Sequence, residues 1–165
     1  MKIPILHLED GIHHYEFLIK GGSLHFYREE VYPHDVKVQV ELNKFQKNIQ
    51  CHVEVETTGH YICDRCLDEY EAGYHGHFDV LFHIGLKDLE TDEEEVILLP
   101  PETVDIDLTD QLVENLILGV PMKMLCDENC KGICPGCGAD LNHEACTCKE
   151  DPIDPRWLKL KELLK

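Results

Sequence analysis

The sequence has no long apolar run, few aromatic residues and little positive charge. Its 165 residues include 15 Lys and Arg against 33 Asp and Glu, and only 7% are aromatic. A transmembrane helix needs about 20 consecutive apolar residues, so none is predicted. Residues 1–7 lack both a continuous apolar stretch and a small-residue cleavage site. We therefore expect no secretory signal, no membrane association and a cytoplasmic location.

Catalytic signatures are also missing. The sequence shows no phosphate loop, no Ser–His–Asp grouping and no paired-carboxylate pattern, which predicts a protein that is not an enzyme and has no small-molecule substrate.

Negative charge dominates the chain and is unevenly placed. The formal net charge is −18, and residues 61–110 hold fifteen acidic and two basic residues. Bare nucleic acid should be repelled, because phosphate binding needs clustered Lys and Arg. The acidic segment is interpreted either as a solvated face or as a docking surface for a basic partner such as a ribosomal protein.

Cysteine is abundant, with nine residues. An odd count, paired Cys-x-x-Cys spacings and the absence of a signal argue against a disulfide scaffold, because such clusters in a reducing compartment more often bind metal. Zinc is the predicted metal, with disulfides or an iron–sulfur cluster as the alternatives.

Six cysteines fall within the 23 residues 126–148. Cys134 and Cys137 form a knuckle with Pro135 and Gly136 between them, in which backbone N–H groups can point at the sulfurs. A Cys-x-Cys pair follows eight residues later and can close a tetrahedron. The predicted first site is Cys134, Cys137, Cys146 and Cys148. Four thiolates leave no open position, so the site should be structural.

A second site follows from the remaining cysteines. Cys51 lies on the inward phase of an alternating strand and is interpreted as a buried core thiol, which leaves eight cysteines for two sites. The predicted second site is Cys63, Cys66, Cys126 and Cys130, joining distant parts of the chain. A mixed arrangement, with one zinc held by the first two of these and two later cysteines, is the main competitor.

Alternating apolar residues predict strands in the first half of the chain. Residues 35–42 and 49–56 alternate strictly and look like an antiparallel pair, and residues 70–84 should form a long strand. Three histidines lie on or near that last strand and are expected to face solvent: His75, His77 and His83. Residues 86–95 are the predicted disordered loop.

Two helices are predicted. One spans about 109–118 and ends before Gly119, and a short second helix begins near Asp154. The fold class is therefore α+β: a mainly antiparallel, curled or barrel-like β-sheet with two helices and a C-terminal cysteine-rich zinc-binding segment. Residues 1–125 form the predicted β-rich body, and residues 126–165 form the zinc-knuckle segment with the final helix, packed as part of a single domain.

The cysteine pairs belong to a longer pattern of residues: Cys63-Asp64-Arg65-Cys66-Leu67, Leu118-(x2)-Pro121, Leu125-Cys126-(x3)-Cys130-Lys131-Gly132-Ile133-Cys134-Pro135-(x)-Cys137-Gly138-(x2)-Leu141-Asn142, Cys146-(x)-Cys148 and Asp154-Pro155-Arg156-Trp157-(x2)-Leu160. This pattern resembles the YceD family, which is named for large ribosomal RNA subunit accumulation. The resemblance covers most of the chain and is loose in the first sixty residues.

The resemblance implies a cytoplasmic, non-enzymatic protein that supports the synthesis, processing or stability of large-subunit rRNA. It also implies that the partner is a large-subunit rRNA precursor, a basic ribosomal protein, or both. Two other functions stay open on the residues alone. One is a thiol or redox protein that uses Cys63 and Cys66. The other is a nucleic-acid-binding zinc ribbon, although residues 126–148 contain one Lys, no Arg and four acidic residues.

Overall fold

The computed structural model describes residues 1–85 and 96–148, which fall into two compact units. The first unit, here the sheet unit, comprises Met1–Tyr61 and Glu69–Lys123. The second, the cysteine unit, comprises Ile62–Asp68 and the described residues from Met124 onward. The predicted disordered loop at 86–95 lies outside the described residues. The prediction that body and cysteine segment pack as a single domain stays a prediction.

A five-stranded sheet forms the sheet unit, in the order β2-β3-β4-β5-β6. Strand β2 pairs antiparallel with β3, which pairs antiparallel with β4, and β5 pairs parallel with β6. A separate two-stranded ribbon joins β1 and β7. The strands are β1 (Lys2–Pro4), β2 (Gly11–Ile19), β3 (Val36–Phe45), β4 (Asn48–Ile62), β5 (Glu69–Ile84), β6 (Val96–Leu99) and β7 (Asp105–Asp107).

The predicted antiparallel pair is confirmed as β3 and β4. Val38 lies opposite Val55 and Leu42 lies opposite Cys51, so the apolar phases of the two strands share one face. Every second residue is buried on that face from Val36 to Leu42 and from Ile49 to Val55, as expected when one side of a sheet covers a core. Cys51 is completely buried, which confirms its interpretation as a core thiol.

Helix α1 (Thr109–Leu118) supplies the other half of the core, at the predicted position. Leu112 and Leu116 are four residues apart and therefore lie on one helical face, where both are fully buried. The Tyr32 hydroxyl donates a hydrogen bond of 3.0 Å to the Leu116 carbonyl and so ties the segment around a short 3-10 helix, Glu29–Val31, to α1.

The predicted fold class is wrong in two respects. The sheet is open and not barrel-like: in the part of the chain that the structure describes, β2 and the four-residue β6 are its two edges. A helix and the β1–β7 ribbon already supply a second layer of buried residues, so the apolar face needs no closure. Residues 1–85 and 96–148 contain one α-helix, not two. The second predicted helix, near Asp154, lies outside the described residues.

One histidine prediction is also wrong. His75 and His77 are exposed as expected, but His83 is only 7% exposed. Its Nδ1 lies 2.6 Å from the Asn48 Oδ1, at the start of β4. Strand alternation assigns a residue to a face, but it does not say whether that face is covered at a given point. Among the described residues, no helix has the length and apolar character needed to cross a membrane.

Candidate metal centre

The first Cys-x-x-Cys pair lies in the connection between β4 and β5. The Cys63 N–H donates to the Asp68 carbonyl at 2.9 Å, and the Leu67 N–H donates to the Cys63 carbonyl at 2.9 Å. Leu67 has a φ of 63°, in the left-handed region that closes a tight turn. These bonds curl the connection so that both cysteine side chains are buried within it.

The two residues between these cysteines join the turn to the chain after α1. The Asp64 N–H donates to the Met124 carbonyl, and the Met124 N–H donates back to an Asp64 carboxylate oxygen, both at 2.8 Å. The Arg65 guanidinium donates to the Cys130 carbonyl at 2.7 Å and to the Glu128 carbonyl at 3.3 Å. Hydrogen bonds from both residues thus hold the Cys126–Cys130 segment beside the turn that contains Cys63 and Cys66.

Gly132 makes this approach possible. Its φ is +74°, and a Cβ there would lie 2.8 Å from the Arg65 carbonyl oxygen. The Ile133 N–H donates to the same oxygen at 2.9 Å. Only glycine combines this backbone conformation with so close a neighbour.

Four sulfurs meet as a result, and they are those of the predicted second site: Cys63, Cys66, Cys126 and Cys130. All four lie within 4.8 Å of one another. The Sγ atoms of Cys63 and Cys130 are 3.8 Å apart, and those of Cys66 and Cys126 are 3.5 Å apart. In tetrahedral zinc with Zn–S bonds of about 2.3 Å, the sulfurs are separated by about 3.8 Å. The Asn142 amide also donates to the Cys130 sulfur at 3.4 Å.

The residues of the predicted first site form the other group: Cys134, Cys137, Cys146 and Cys148. Their sulfurs also lie within 4.8 Å of one another. The Cys134 sulfur is 3.4 Å from that of Cys146 and 3.6 Å from that of Cys148, and those of Cys137 and Cys146 are 3.9 Å apart. These separations also suit one tetrahedral ion.

A short turn builds the knuckle of this group. The Gly138 N–H donates to the Cys134 carbonyl at 2.9 Å, and the Cys134 N–H donates to the Ala139 carbonyl at 2.8 Å. Gly138 has a φ of 75°. A Cβ at Gly136 would lie 2.5 Å from the Cys148 sulfur, so the knuckle can close over that sulfur only with glycine here.

Backbone N–H groups lower the pKa and so favour the thiolate form at Cys63, Cys134 and Cys137. Hydrogen bonds from the backbone, first from Cys126, lower the pKa of Cys63 to about 6. In the other group, backbone hydrogen bonds, first from Ala139, lower the pKa of Cys137 to about 5. These N–H groups point at sulfurs in the way expected of a zinc knuckle.

Other thiols in the same groups resist ionisation. Side-chain interactions with Cys134, then Cys137 and Cys146, raise the pKa of Cys148 to about 12. Adjacent thiolates repel each other, so four of them at one point need a cation at their centre. The donor set, the spacing and the charge all fit Zn²⁺ and leave no position for a substrate.

Cys51 belongs to neither group, and its burial raises its pKa to about 12. The structure also brings Asp68, Asp140 and His143 within 4.8 Å of one another, which sequence analysis missed because the spacing is not periodic. The roles of Asp64, Arg65 and Asn142 were missed too. Their only sequence signal is a position between or near cysteines.

Comparison with known proteins gives one family and several relatives. A family model described as "Large ribosomal RNA subunit accumulation protein YceD" matches residues 51–164. An uncharacterized protein of Mycobacterium tuberculosis is 33% identical over 104 residues, or 62% of this chain and 49% of that protein. An uncharacterized protein of Mycobacterium leprae is 28% identical over 108 residues, or 62% of this chain and 46% of that protein.

A plant relative carries the family's name. The "Large ribosomal RNA subunit accumulation protein YCED homolog 1, chloroplastic" of Arabidopsis thaliana is 33% identical over 72 residues, which are 44% of this chain and 22% of that protein. The chain spans about half the length of the mycobacterial relatives and less of the plant relative. No solved structure matches the chain.

Proposed function

Since this chain belongs to the YceD family, we propose that it is a non-enzymatic zinc-binding factor that supports the synthesis, processing or stability of large-subunit rRNA in the cytoplasm. The observation that carries the zinc part is the division of eight cysteines into two groups of four, each compact enough for one ion. The rRNA part rests on the family description and on the name of the plant relative.

Zinc in this proposal is structural. The first ion is held by Cys134, Cys137, Cys146 and Cys148, and the second by Cys63, Cys66, Cys126 and Cys130. Four protein ligands fill a tetrahedral zinc, so neither ion has a position for water or substrate. Zinc would neutralise half of the thiolate charge of each group and hold together loops that have little else to stabilise them.

The partner we propose is a large-subunit rRNA precursor reached through a basic ribosomal protein. Exposed carboxylates line the outward face of β4 and β5, among them Glu54, Glu56, Glu71 and Asp79. The net charge of −18 opposes direct contact with phosphate but favours a Lys- and Arg-rich protein. Such a surface speeds association and selects partners by charge.

A thiol or redox function is less well supported. Cys63 and Cys66 are 0% and 4% exposed, whereas a catalytic thiolate must be reachable by its substrate. Arg65 is engaged with backbone carbonyls of Glu128 and Cys130. A direct nucleic-acid-binding ribbon is opposed by the acidic composition of residues 126–148.

Zinc per chain, measured by elemental analysis on protein purified without chelator, tests the metal part. We expect two zinc ions per chain. In the folded protein, eight thiols should become reactive when a chelator removes the metal, and the buried Cys51 should react only when the sheet unfolds. One zinc per chain with three to five accessible thiols would confine the metal to the site of Cys134, Cys137, Cys146 and Cys148. No zinc would contradict the proposal.

Sedimentation of cell extracts tests the rRNA part. We expect the protein in fractions that hold large-subunit precursors and not in mature ribosomes. The variant with Glu54→Gln and Glu56→Gln should lose this association, whereas the control with Glu102→Gln and Glu114→Gln, which has the same charge change away from the sheet face, should keep it. Absence of the unaltered protein from every ribosomal fraction would overturn this part.

A further inference from the structure

Strand β2 is an open edge of the sheet. Within residues 1–85 and 96–148 it pairs with β3 along Gly11–Ile19 and with no other strand. Among the described residues, none of its N–H or C=O groups forms a backbone hydrogen bond beyond that pairing. The strand is nine residues long and contains no proline, so its free side offers a continuous row of donors and acceptors.

The outward face of β2 exposes two large apolar side chains that flank two polar ones. Ile12 is 60% exposed and Leu18 is 62% exposed. Between them on the same face lie His14 and Glu16, both exposed. Along this face the order is apolar, histidine, glutamate, apolar. When a second copy of the strand runs antiparallel, apolar side chains lie opposite each other and histidine lies opposite glutamate.

A row of alternating histidine and carboxylate side chains crosses the sheet and ends at β2. His14 lies opposite Glu41 on β3, with 3.9 Å between the His14 Nδ1 and a Glu41 carboxylate oxygen. Glu41 lies opposite His52 on β4, whose Nδ1 is 2.9 Å from an Asp79 carboxylate oxygen on β5. Histidine and carboxylate thus alternate over four strands. A carboxylate on a further strand beside His14 would continue this alternation.

We propose that β2 is a homodimerisation surface, on which β2 of a second copy pairs antiparallel about a twofold axis at Tyr15. In this register Glu16 of the second copy lies opposite His14 and continues the row, and Leu18 of the second copy lies opposite Ile12. The symmetric contacts form on the other side of the axis, as an isologous interface requires. The two sheets join into one of ten strands.

The core-facing side of β2 supports the same register. Tyr15 and Phe17 are half-buried, with ring centroids 6.5 Å apart. In the dimer Tyr15 lies opposite Tyr15 of the second copy, and Phe17 lies opposite His13. Aromatic cross-strand pairs are among the more stabilising contacts of antiparallel sheets.

Neighbouring registers pair the exposed side chains less well. An axis at His14 places Ile12 opposite Glu16 of the second copy, and an axis at Glu16 places two carboxylates opposite each other. Like charges directly opposite destabilise a strand pair, and a shift by one residue moves the side chains to the wrong face. The Tyr15 axis alone among these pairs opposite charges and apolar side chains together.

Net charge opposes self-association in general, but β2 itself carries one acidic residue, Glu16, and two histidines. The dense acidic segment starts at residue 61, outside β2 and β3. Charges separated by more than about 8–10 Å are largely screened at physiological salt. A nine-residue edge is also a small interface, so we expect a weak dimer, with Kd on the order of 10 μM.

Sedimentation equilibrium of the zinc-loaded chain tests the proposal with three matched variants. Ile12→Glu with Leu18→Glu places carboxylates opposite each other and should weaken the dimer about 100-fold. Ile12→Lys with Leu18→Lys should weaken it similarly. Ile12→Lys with Leu18→Glu places opposite charges together and should keep the dimer. Within one copy these positions are six residues apart, about 20 Å along a strand, so monomer folding is affected alike.

Hydrogen exchange supplies a second readout. Amides of residues 11–19 should become more protected as protein concentration rises, and this change should vanish in the variant with two glutamates. A chain that stays monomeric up to about 1 mM would overturn the proposal and leave the edge to a strand of another protein. A dimer that survives both like-charge variants would also overturn it, because another surface would then hold the copies together.

Discussion

The sheet unit and the cysteine unit are stabilised by different means. In the sheet unit, aliphatic residues such as Leu42, Ile49, Leu112 and Leu116 are fully buried. In the described part of the cysteine unit, the buried side chains are four cysteines: Cys63, Cys66, Cys130 and Cys134. The sheet unit therefore has a hydrophobic core. In the described part of the cysteine unit, cysteine side chains occupy the buried positions instead.

This difference bears on how the described part of the cysteine unit can fold with few buried apolar side chains. Small units that bury little apolar surface usually need a disulfide or a metal. Apart from Ile62, the last residue of β4, the described residues of the cysteine unit form turns and one isolated bridge, between Ile133 and Asp140, and none of the nine cysteines forms a disulfide. In the proposed function, zinc binding is therefore coupled to folding of the cysteine unit and not of the sheet unit.

Zinc removal should have the largest effect, and it should unfold the cysteine unit but not the sheet unit. A strong chelator should unfold residues 124–148, because structural zinc contributes on the order of 10 kcal/mol of binding free energy. The sheet should persist, since its core contains no metal ligand. Hydrogen exchange read by mass spectrometry checks both units at once. Loss of protection in β3 and β4 at the same chelator concentration would contradict the division.

Truncation of a core side chain should instead destabilise the sheet unit and leave zinc binding unchanged. Leu112→Ala removes a fully buried side chain from α1 and should lower the free energy of unfolding of the sheet unit by about 2–5 kcal/mol. Denaturant unfolding measures this loss, and elemental analysis should still find two zinc ions. The control is the exposed Leu118→Ala, at 77% exposure, which should cost much less.

Adding one methyl group between Cys134 and Cys137 should weaken zinc binding at that site alone. Gly136→Ala would place a Cβ 2.5 Å from the Cys148 sulfur and should weaken zinc binding there at least about tenfold. Competition with a chromogenic chelator measures the affinity. Gly73→Ala is the matched control, because its Cβ would meet nothing closer than 3.9 Å. Equal effects of the two changes would count against a metal at the knuckle.

The smallest predicted effect is a pH-dependent ion pair on the sheet. The hydrogen bond to Asp79 raises the pKa of His52, so the pair adds stability below the unfolded histidine pKa of about 6.5 and loses it as pH rises through the folded value. Both groups are exposed, so the increment should stay under about 1 kcal/mol. Double-mutant cycles with His52→Gln and Asp79→Asn at pH 5.5 and 8.5 measure it. A coupling that grows with pH would contradict this sign.

Local patterns in the sequence were enough for much of the sheet unit. Alternation over 35–42 and 49–56 depends on residues that are neighbours in the chain, and β3 and β4 follow it. Helix α1 is bounded as predicted, since its apolar face and the following Gly119 are also local signals. The burial of His83 was missed, because contact with Asn48 joins residues 35 positions apart.

The cysteine sequence determined the donor chemistry and the close pairs within each Cys-x-x-Cys, Cys-x-Cys and Cys-(x3)-Cys spacing, because a few residues of chain keep two sulfurs near each other. The way the pairs combine was open between two sites and a mixed one. Only the tertiary structure brought the turn at Cys63 to the chain at Cys130, through the hydrogen bonds of Asp64 and Arg65. The open edge at β2 was equally hidden, since strand order arises from long-range pairing that local alternation does not encode.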